Sequence, residues 1–402
     1  MDSNTEILII GSGMVGLSLA WELKEKKEAL NITILDKEND IGFHSSGRNS
    51  GVLHAGIYYE PGSLKASVCV NGASRLREWC INEGLPVLSC GKVITPQKPE
   101  LDGQLDLLMK RGLKNGAKVE IIDQHQFSEL APFGYTSTGR ALWSQNTCVV
   151  NPKLVLERLR ERLAQRGVIF LMAQKDWKLK KNKKQIILNN QSSINFGHLF
   201  NCAGVNADKI AHLFGLGKQF TVLPFRGNYY QMRKHSPFNF TTNLYPVPDL
   251  EFPFLGVHIT PSLDGTIYLG PTATPAFGRE NYEKYNGIEG SMILNFTRYM
   301  TKQFIIDKKM RKYITHQAFE WLPFKFLKAA RAIVPDLQME HIEPSKKVGI
   351  RAQLYDRDNH KLVEDFLMVK DKDSTHIINA ISPAFTASFE LADHVLKYTN
   401  LK

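Results

Sequence analysis

The fold of this chain is decided near its start, by the sequence Ile7-Leu-Ile-Ile-Gly-Ser-Gly-Met-Val-Gly16. Four apolar residues in a row predict a buried strand, and the three glycines predict a tight turn after it. Apolar residues then recur at helical spacing up to Leu23, and a second apolar run ends on Asp36, about 20 residues after Gly16. Strand, turn, helix and acid together form the pattern of a dinucleotide-binding unit.

Each glycine of the pattern has a physical role in such a unit. Gly11 makes the turn, Gly13 lets the backbone approach a pyrophosphate, and Gly16 lets the helix pack closely on the strand. The amide groups at the start of the helix, including those of Met14 and Val15, would face the phosphates. The alternative is a glycine-rich turn that binds nothing.

Asp36 indicates which kind of dinucleotide fits. An acid at this position accepts hydrogen bonds from ribose hydroxyls and disfavours a 2′-phosphorylated cofactor. Lys37, the next residue, is assigned to the same site.

Composition limits the function only loosely. A chain of 402 residues can form two domains, and its hydrophobic content of 43% is ordinary for a soluble globular protein. The net charge of +11 permits anionic substrates, anionic lipid surfaces or nucleic acid, and it selects none of them.

The cysteines and the start of the chain bear on localisation. Five cysteines with no Cys-x-x-Cys pair and no zinc-type His cluster indicate a reducing compartment and no metal site. The first strand begins within about five residues of Met1, which leaves no room for a signal or transit peptide. No apolar run approaches the roughly 20 residues that a bilayer span needs. We expect a cytoplasmic protein, or one attached peripherally to the inner face of the cell membrane.

A loop rich in Gly and Ser follows, over residues 41–59. Small residues let the backbone run close against a flat ligand, and hydroxyl or amide side chains can donate to cofactor oxygens. The alternative is a solvated surface loop. The candidate cofactor contacts in this loop are Ser45, Ser46, Asn49 and Ser50.

The stretch from Ser46 to Ala66, SGRNSGVLHAGIYYEPGSLKA, resembles the signature of the L-2-hydroxyglutarate dehydrogenase/oxidase family. These are FAD enzymes of the D-amino-acid-oxidase-like superfamily, and the similarity extends over nearly all of the chain. The resemblance implies bound FAD and oxidation of an L-2-hydroxy acid, foremost L-2-hydroxyglutarate, by hydride transfer to the flavin. The alternatives are an amino-acid oxidase of the same superfamily and a flavin-containing RNA-binding or RNA-modifying protein, which only the net charge suggests.

Two later segments complete the cofactor site that the resemblance implies. A strand from His198 runs into Ala203-Gly204, where small residues would let a cofactor lie across the strand end. This segment resembles the mid-chain flavin motif of flavoproteins with two dinucleotide-binding domains. The loop near the C-terminus resembles the family's Pro-Ser-Pro-Ala-Ala-Thr, with Ile381 and Phe385 as departures, and would direct amide groups at the flavin ring. Its candidate contacts are Pro383, Ala384 and Thr386.

These segments predict an α/β protein with two domains. The first is a doubly wound, Rossmann-type FAD-binding domain made of residues 1–75, 146–216 and 348–402. The second is an α+β substrate domain with a mixed sheet, made of residues 76–145 and 217–347, since apolar and polar residues alternate between 225 and 271. The basic run 175–184 is interpreted as a solvated hairpin tip, and no nucleic-acid partner is expected.

Oxidation of a hydroxy acid needs a base for the hydroxyl proton. His54 is the first candidate, because imidazole titrates near neutrality and this residue lies just beyond the cofactor loop. His258 is the second candidate, as a base or as a donor to a carboxylate. The alternative is a structural histidine with its hydrogen bonds satisfied.

Arg226 and Arg351 are the candidates for binding substrate carboxylates. Each lies among apolar and small residues, where an unpaired guanidinium is costly, and its planar fork matches a carboxylate. The alternative for each is an internal salt bridge. Tyr229 offers a hydroxyl to a 2-hydroxy dicarboxylate, while Asn228 and Thr272 depart from the family pattern and put the identity of the substrate in doubt.

The segment 319–331 is the candidate for a membrane-docking surface, near which electrons would leave the enzyme. It mixes aromatic and basic side chains, which suits an interfacial segment at the membrane surface. The family resemblance, through relatives linked to the respiratory chain, implies a membrane acceptor such as a quinone for the electrons. The alternative is an ordinary helix that buries its aromatic residues in the substrate domain. The residues concerned are Phe319, Trp321, Leu322, Phe324, Lys325, Phe326, Leu327, Lys328 and Arg331.

Overall fold

The computed structural model describes residues 3–249, 255–283, 285–317 and 322–401. The strands in chain order are β1 (Ser3–Ile10), β2 (Ile32–Leu35), β3 (Val52–Leu53), β4 (Val87–Leu88), β5 (Lys92–Thr95), β6 (Val119–Ile122), β7 (Ala141–Ser144), β8 (Cys148–Val150), β9 (Ile169–Leu171), β10 (Trp177–Lys180), β11 (Gln185–Leu188), β12 (Ser193–Asn201), β13 (Phe220–Met232), β14 (Asn243–Pro246), β15 (His258–Pro261), β16 (Ile267–Gly270), β17 (Thr274–Pro275), β18 (Ile342–Asp356), β19 (Lys361–Leu362), β20 (Leu367–Lys370) and β21 (Ser374–Asn379).

The helices alternate with these strands in the first part of the chain and cluster near residues 290–331 in the second. In chain order they are α1 (Met14–Lys26), α2 (Leu64–Asn82), α3 (Asp102–Lys114), α4 (Gln124–Leu130), α5 (Pro152–Gln165), α6 (Ala207–Leu213), α7 (Gly290–Ile306), α8 (Lys308–Gln317), α9 (Pro323–Arg331) and α10 (Ser388–Thr399).

Side-chain caps set several helix starts. The Ser63 hydroxyl accepts a hydrogen bond from the Ala66 amide at the start of α2. Asn151 caps α5 in the same way and is followed by Pro152, whose missing amide proton costs nothing at the first helical position.

The first sheet has eight strands in the order β10-β11-β12-β1-β2-β9, and β21 and β20 extend it beside β12. β1 lies between β2 and β12 and is parallel to both. Helices cover this region, with α1 against α5 and α10. All four residues of 7–10 are therefore buried, which explains why this strand is a continuous apolar run. The Rossmann-type prediction is confirmed.

The second sheet has ten strands in the order β19-β18-β13-β16-β15-β14-β5-β7-β6, with β17 beside β13. Its described pairs are antiparallel except for β14 with β5, so it is mixed as predicted. α9 packs on one face of this sheet, where Phe326 stacks on Tyr230 with ring centroids 4.3 Å apart. The other face is directed at the first sheet's cofactor segments.

Two predicted domain boundaries fall inside continuous elements of secondary structure. Residue 75 falls inside α2, whose Gly72 packs directly against Ala387 in the C-terminal segment. Residue 348 falls inside β18, which pairs with β13 along its length and belongs to the second sheet up to residue 356. A helix and a strand that continue through a boundary carry no sequence signal for it, because their periodicity does not change there.

The basic run 175–184 forms the predicted hairpin, with β10 antiparallel to β11. Lys181 and Lys184 at its tip form ion pairs with Asp371 and Asp373, at 3.0 and 2.7 Å. Part of the positive charge of this hairpin is therefore paired with carboxylates of the same chain. Across the described ranges, no helix is both long and apolar enough to cross a bilayer.

Candidate active site

A cavity of about 1220 Å³ lies between the carboxyl ends of the first sheet's parallel strands and one face of the second sheet. Typical small-molecule pockets are about 300–1,000 Å³, so this cavity has room for a dinucleotide and a small substrate. Nearly all of the predicted cofactor residues line it. They are Gly11, Gly13, Met14, Val15, Asp36, Lys37, Ser45, Ser46, Asn49, Ser50, Ala203, Gly204, Pro383, Ala384 and Thr386.

The glycine turn has the close contacts that the pattern predicts. Gly11 has a φ of +108°, and a Cβ at this position would stand 2.5 Å from the carbonyl oxygen of Cys202. Gly16 does not line the cavity; a Cβ there would stand 2.0 Å from the Gly11 carbonyl oxygen. Its role is the close packing of helix on strand. Gly13 lines the cavity at the start of α1, where backbone amides can meet phosphate groups.

The serine-rich loop is tied to the glycine turn. The Met14 amide donates to Ser46 Oγ over 2.9 Å, so the Ser46 hydroxyl proton remains available for a phosphate oxygen. Ser45 is not a spare donor, because its hydroxyl donates to the Ile350 carbonyl over 2.8 Å. Asn49 holds the loop together through the Ser46 carbonyl and the Gly51 amide.

Asp36 also supports the turn. One carboxylate oxygen accepts hydrogen bonds from the Ser12 amide and hydroxyl, at 2.6 and 2.7 Å, and the other accepts from the Glu38 amide. Each carboxylate oxygen can accept more than one bond, so Asp36 can still meet a ribose. Its additional task, bracing the glycine turn, was not predicted.

A polar cluster that the sequence reasoning missed stands beside Asp36. Atoms of Glu38, His44 and Glu280 lie close enough together to hold a metal ion. However, the Lys37 ammonium lies 2.5 Å from both carboxylates and supplies the positive charge there. Since Glu38 and His44 line the cavity, this cluster borders the end that the ribose would occupy. The sequence did not predict this cluster, because Glu38 and Glu280 are far apart in the chain.

The C-terminal loop connects the cofactor site to a candidate base. Thr386 Oγ1 donates to the Val52 carbonyl over 3.1 Å and accepts from the His54 amide over 3.2 Å. Thr386 is fully buried. The loop thereby fixes the backbone of His54, which lines the same cavity.

The opposite wall is a face of the second sheet. It brings together side chains from β13, β14, β15 and β18, namely Tyr229, Tyr245, His258 and Arg351. The rings of Tyr245 and His258 are stacked, with centroids 3.9 Å apart and planes at 19°. Burial raises the pKa of Tyr229 to about 12, so its hydroxyl stays protonated and can donate.

Both candidate bases are neutral at physiological pH. Burial lowers the pKa of His54 to about 3, and the positive charges of Lys92 and Arg351 act in the same direction. Burial likewise lowers the pKa of His258 to about 3. His258 Nδ1 lies 2.9 Å from the Gly256 carbonyl, which can only accept, so Nδ1 carries the proton and Nε2 is left as the acceptor.

The two predicted carboxylate ligands are not equivalent. Arg351 lines the cavity, whereas Arg226 does not. Arg226 Nε donates to Asn228 Oδ1 over 3.0 Å, on the face of β13 that faces away from Tyr229 and Gly227. Burial lowers the pKa of Arg226. The structure therefore does not bring Arg226 to the other site residues.

Several lining residues were not predicted. Tyr58 comes from the loop 41–59, Lys65 from the start of α2, Arg111 from α3 and Tyr245 from β14. Burial lowers the pKa of Lys65 to about 8. Tyr58 stood in the quoted loop, but Tyr245 gave no sequence signal beyond a strand pattern.

The residues present fit a bound dinucleotide. The glycine turn leaves space that a side chain would fill, the amides of α1 begin at the cavity, and Asp36 and the C-terminal loop line the same cavity. When bound, FAD supplies a hydride acceptor. Gly13, Ser46, Asp36, Gly204 and Ala384 are among the residues that would hold it.

Comparisons with known proteins agree with this site. Residues 6–396 match the family described as FAD dependent oxidoreductase. The chain is 32% identical to an L-2-hydroxyglutarate dehydrogenase of Indibacter alkaliphilus, over 98% of each chain. It is 33% identical to the mitochondrial L-2-hydroxyglutarate dehydrogenase of Homo sapiens, over 97% of this chain and 87% of the relative.

Solved structures share the fold. An FAD-bound L-alpha-glycerophosphate oxidase from Mycoplasma pneumoniae superposes with a TM-score of 0.77 at 20% identity, over 100% of this chain and 96% of the other. A glycine oxidase from Geobacillus kaustophilus superposes with a TM-score of 0.71 at 14% identity, over 99% and 95%. The cofactor is therefore FAD, and the chain belongs to the FAD-dependent oxidoreductase family, within which L-2-hydroxyglutarate dehydrogenases are among its relatives over nearly the full length.

Proposed function

We propose that this enzyme oxidises L-2-hydroxyglutarate to 2-oxoglutarate. The observation that carries the proposal is the meeting of a neutral histidine and Arg351 in one cavity with the FAD loops. The sequence similarity to L-2-hydroxyglutarate dehydrogenases over nearly the whole chain supports the choice of substrate.

His258 is the proposed base. Its Nε2 has a free lone pair, because the Gly256 carbonyl holds the proton on Nδ1. It would take the proton of the substrate's 2-hydroxyl while C2 gives up its hydride to the FAD. The C2–O single bond then becomes the carbonyl bond of the 2-oxo acid. His54 is the second candidate, although its Nδ1 is buried and has no hydrogen-bond partner among the described residues. An imidazole without such a partner is less firmly oriented.

Arg351 is the proposed ligand of the substrate carboxylate. Its guanidinium can form two parallel hydrogen bonds to a carboxylate, which fixes the orientation of C2. Tyr229 lies on the same wall and can donate its hydroxyl to the substrate. Lys65, also at the cavity, is available for the second carboxylate of a dicarboxylic acid.

The test is anaerobic reduction of the bound FAD by a panel of 2-hydroxy acids and amino acids. L-2-Hydroxyglutarate should bleach the flavin absorbance fastest. His258→Asn should slow bleaching at least about 100-fold at unchanged FAD content, and His54→Asn should slow it less. A preference for amino acids would favour the amino-acid oxidase alternative, and a larger effect of His54→Asn would make His54 the base.

The electron acceptor is proposed to be a membrane quinone, reached by docking of the α9 surface. We define this surface as Phe324, Lys325, Lys328 and Met339. Phe324 is 64% exposed and borders a groove of about 580 Å³ with Lys328 and Met339. An exposed aromatic residue next to lysines matches an anionic lipid surface, which takes the ring at headgroup depth and the charges at its phosphates.

The docking segment is smaller than the sequence suggests. Phe326 and Leu327 are buried against the second sheet and do not face outwards. Phe319 and Trp321 lie outside the described residues. The interpretation of α9 as an ordinary packed helix therefore holds for its inner face.

Flotation with anionic vesicles tests the docking. Binding should weaken with salt and with Phe324→Ser, while Leu294→Ser, which removes an equally exposed apolar side chain from α7, should leave it unchanged. If the wild-type protein does not float at low salt, docking fails and a soluble acceptor or oxygen replaces the quinone.

A further inference from the structure

Lys92 is the most deeply buried charged side chain near the site. It lies on β5, which pairs with β14 and β7, and its side chain is 0% exposed. Residues 92 and 94 face the same side of the sheet as Asn243 and Tyr245, because partners in the ladder point the same way. Lys92 therefore points to the cavity side of the second sheet.

Two aromatic rings separate Lys92 from the cavity. Its ammonium lies 4.8 Å from the ring centroid of Tyr58 and 5.2 Å from that of Tyr245. Both tyrosines line the cavity, whereas Lys92 does not. The ring faces are electron-rich and stabilise a cation, but they do not neutralise its charge.

The ammonium has no hydrogen-bond acceptor among the described residues. An unpaired buried charge is costly, and proteins normally pair it with a carboxylate. Burial lowers the pKa of Lys92 to about 8, so the side chain is still a cation at pH 7. Its positive charge also acts on His54 and His258. The fold thus keeps an unneutralised positive charge behind the wall that carries the candidate bases.

We propose that Lys92 is a positioning residue that acts through Tyr58 and Tyr245, and that the anionic substrate supplies the counter-charge its buried ammonium lacks. This inference rests on the proposed function, since it adds a residue to the same site. Together with Arg351 it places positive charge on two sides of His258, which suits a dicarboxylate.

Most groups that face Lys92 keep their charge near pH 8, but Lys65 at the cavity titrates in the same range, since burial lowers its pKa to about 8 as well. Burial raises the pKa values of Tyr58 and Tyr245 far above neutrality and that of Cys69 to about 12, and the two histidines have lost their protons well below pH 7. Of these groups, only Lys92 and Lys65 change charge near pH 8. The titratable and charged groups around it are His54, Tyr58, Cys69, Tyr245, His258 and Arg351.

The experiment uses the FAD-loaded enzyme and 2-oxoglutarate, the product, as the probe. Its dissociation constant is measured from the change in flavin absorbance between pH 6 and 9.5. In the wild type, affinity should fall above pH 8 as Lys92 and Lys65 lose their protons. Lys92→Met should weaken binding at pH 7 at least about tenfold and make this alkaline decline shallower, leaving the part that Lys65 contributes. Lys24→Met, which removes a buried lysine from α1 far from the cavity, is the control and should change neither.

Thermal unfolding separates this role from a structural one. Lys92→Met removes an unpaired buried charge, so its Tm should equal or exceed that of the wild type. Lys92→Arg keeps a charge that does not titrate, and at pH 9.5 it should bind 2-oxoglutarate more tightly than the wild type does. A lower Tm with unchanged affinity for Lys92→Met would mean that Lys92 only supports the tyrosines.

The outcomes also separate the two proposals. If the wild type binds 2-oxoglutarate and Lys92→Met binds it equally well with the same pH dependence, only the inference about Lys92 is overturned. If the wild-type enzyme binds no 2-oxoglutarate and L-2-hydroxyglutarate does not bleach its flavin, the proposed function fails, and the inference fails with it.

Discussion

The glycine turn and the sheet wall of the cavity are built in opposite ways. The turn comes from one continuous segment, residues 7–36, in which each glycine meets a backbone atom or the cavity. The wall comes from β13, β14, β15 and β18, which are separated by long stretches of chain and meet only in the sheet. The glycine turn is therefore a local structure, while the sheet wall depends on strand order.

The largest expected effect comes from a substitution in the glycine turn. Gly13→Val should reduce bound FAD to less than about a tenth of the wild-type amount, because its side chain would fill the space where the backbone meets the pyrophosphate. A Cβ at Gly13 already stands 2.9 Å from Ser46 Oγ. FAD per protein is measured by absorbance after gel filtration. Gly103→Ala, in α3 with open space around it, is the control. Full FAD occupancy in Gly13→Val would place the cofactor elsewhere.

The next largest effect compares the two candidate arginines, of which only Arg351 belongs to the wall. Arg351→Lys keeps the charge but loses the two-pronged hydrogen bond, and should lower kcat/KM at least about tenfold. Arg226→Lys is the matched control and should change kcat/KM less than about twofold, because Arg226 does not line the cavity. Steady-state kinetics at equal FAD content compare them. Equal losses would show that Arg226 also reaches the substrate.

The pH dependence of the free energy of unfolding tests whether His258 is buried in the wall. The pKa of His258 is about 3 in the folded chain and near 6.5 when unfolded. The unfolded chain alone takes up this proton as the pH falls, so the stability contribution is present above pH 6.5 and is lost towards pH 3. Between pH 7 and 5 the loss is about 2 kcal/mol. In denaturant unfolding, the free energy of unfolding of His258→Gln should decrease correspondingly less between pH 7 and pH 5 than that of the wild type. An identical decrease would mean that His258 is hydrated.

The smallest expected effect concerns Thr386, which ties the C-terminal loop to the backbone of His54. Thr386→Val keeps the shape but removes the hydroxyl that the His54 amide and the Val52 carbonyl share. The free energy of unfolding should fall by about 1–3 kcal/mol, since buried polar groups lose a partner. Bleaching by substrate should slow only a few-fold with FAD retained. Loss of FAD instead would assign Thr386 mainly to the cofactor.

Sequence reasoning predicted the cofactor end in detail because its signals are short-range. Gly11, Gly13 and Gly16 predicted strand, turn and helix, and Ala203-Gly204 predicted the second strand end beside β1. It was less successful where a side chain had to be assigned a partner. Ser45 appeared to be a spare donor, yet it binds the carbonyl of Ile350, a residue 305 positions away.

The substrate end shows the same limit. Arg226 and Arg351 look alike in the sequence, as arginines among small and apolar residues. Only strand register places one in the cavity and the other beside Asn228. Lys92 and Tyr245 looked like ordinary strand residues, because nothing local shows that a lysine in a strand will be buried without a partner.

The sequence by itself determined the Rossmann-type unit and the flavin family, since each depends on residues that interact within a few turns or match a known motif. The tertiary structure alone decided which arginine meets the substrate cavity, which nitrogen of His258 can accept a proton, and which positive charge remains unneutralised behind Tyr58 and Tyr245. The physical reason is that hydrogen bonding, burial and charge at these atoms are set by strands brought together from distant parts of the chain.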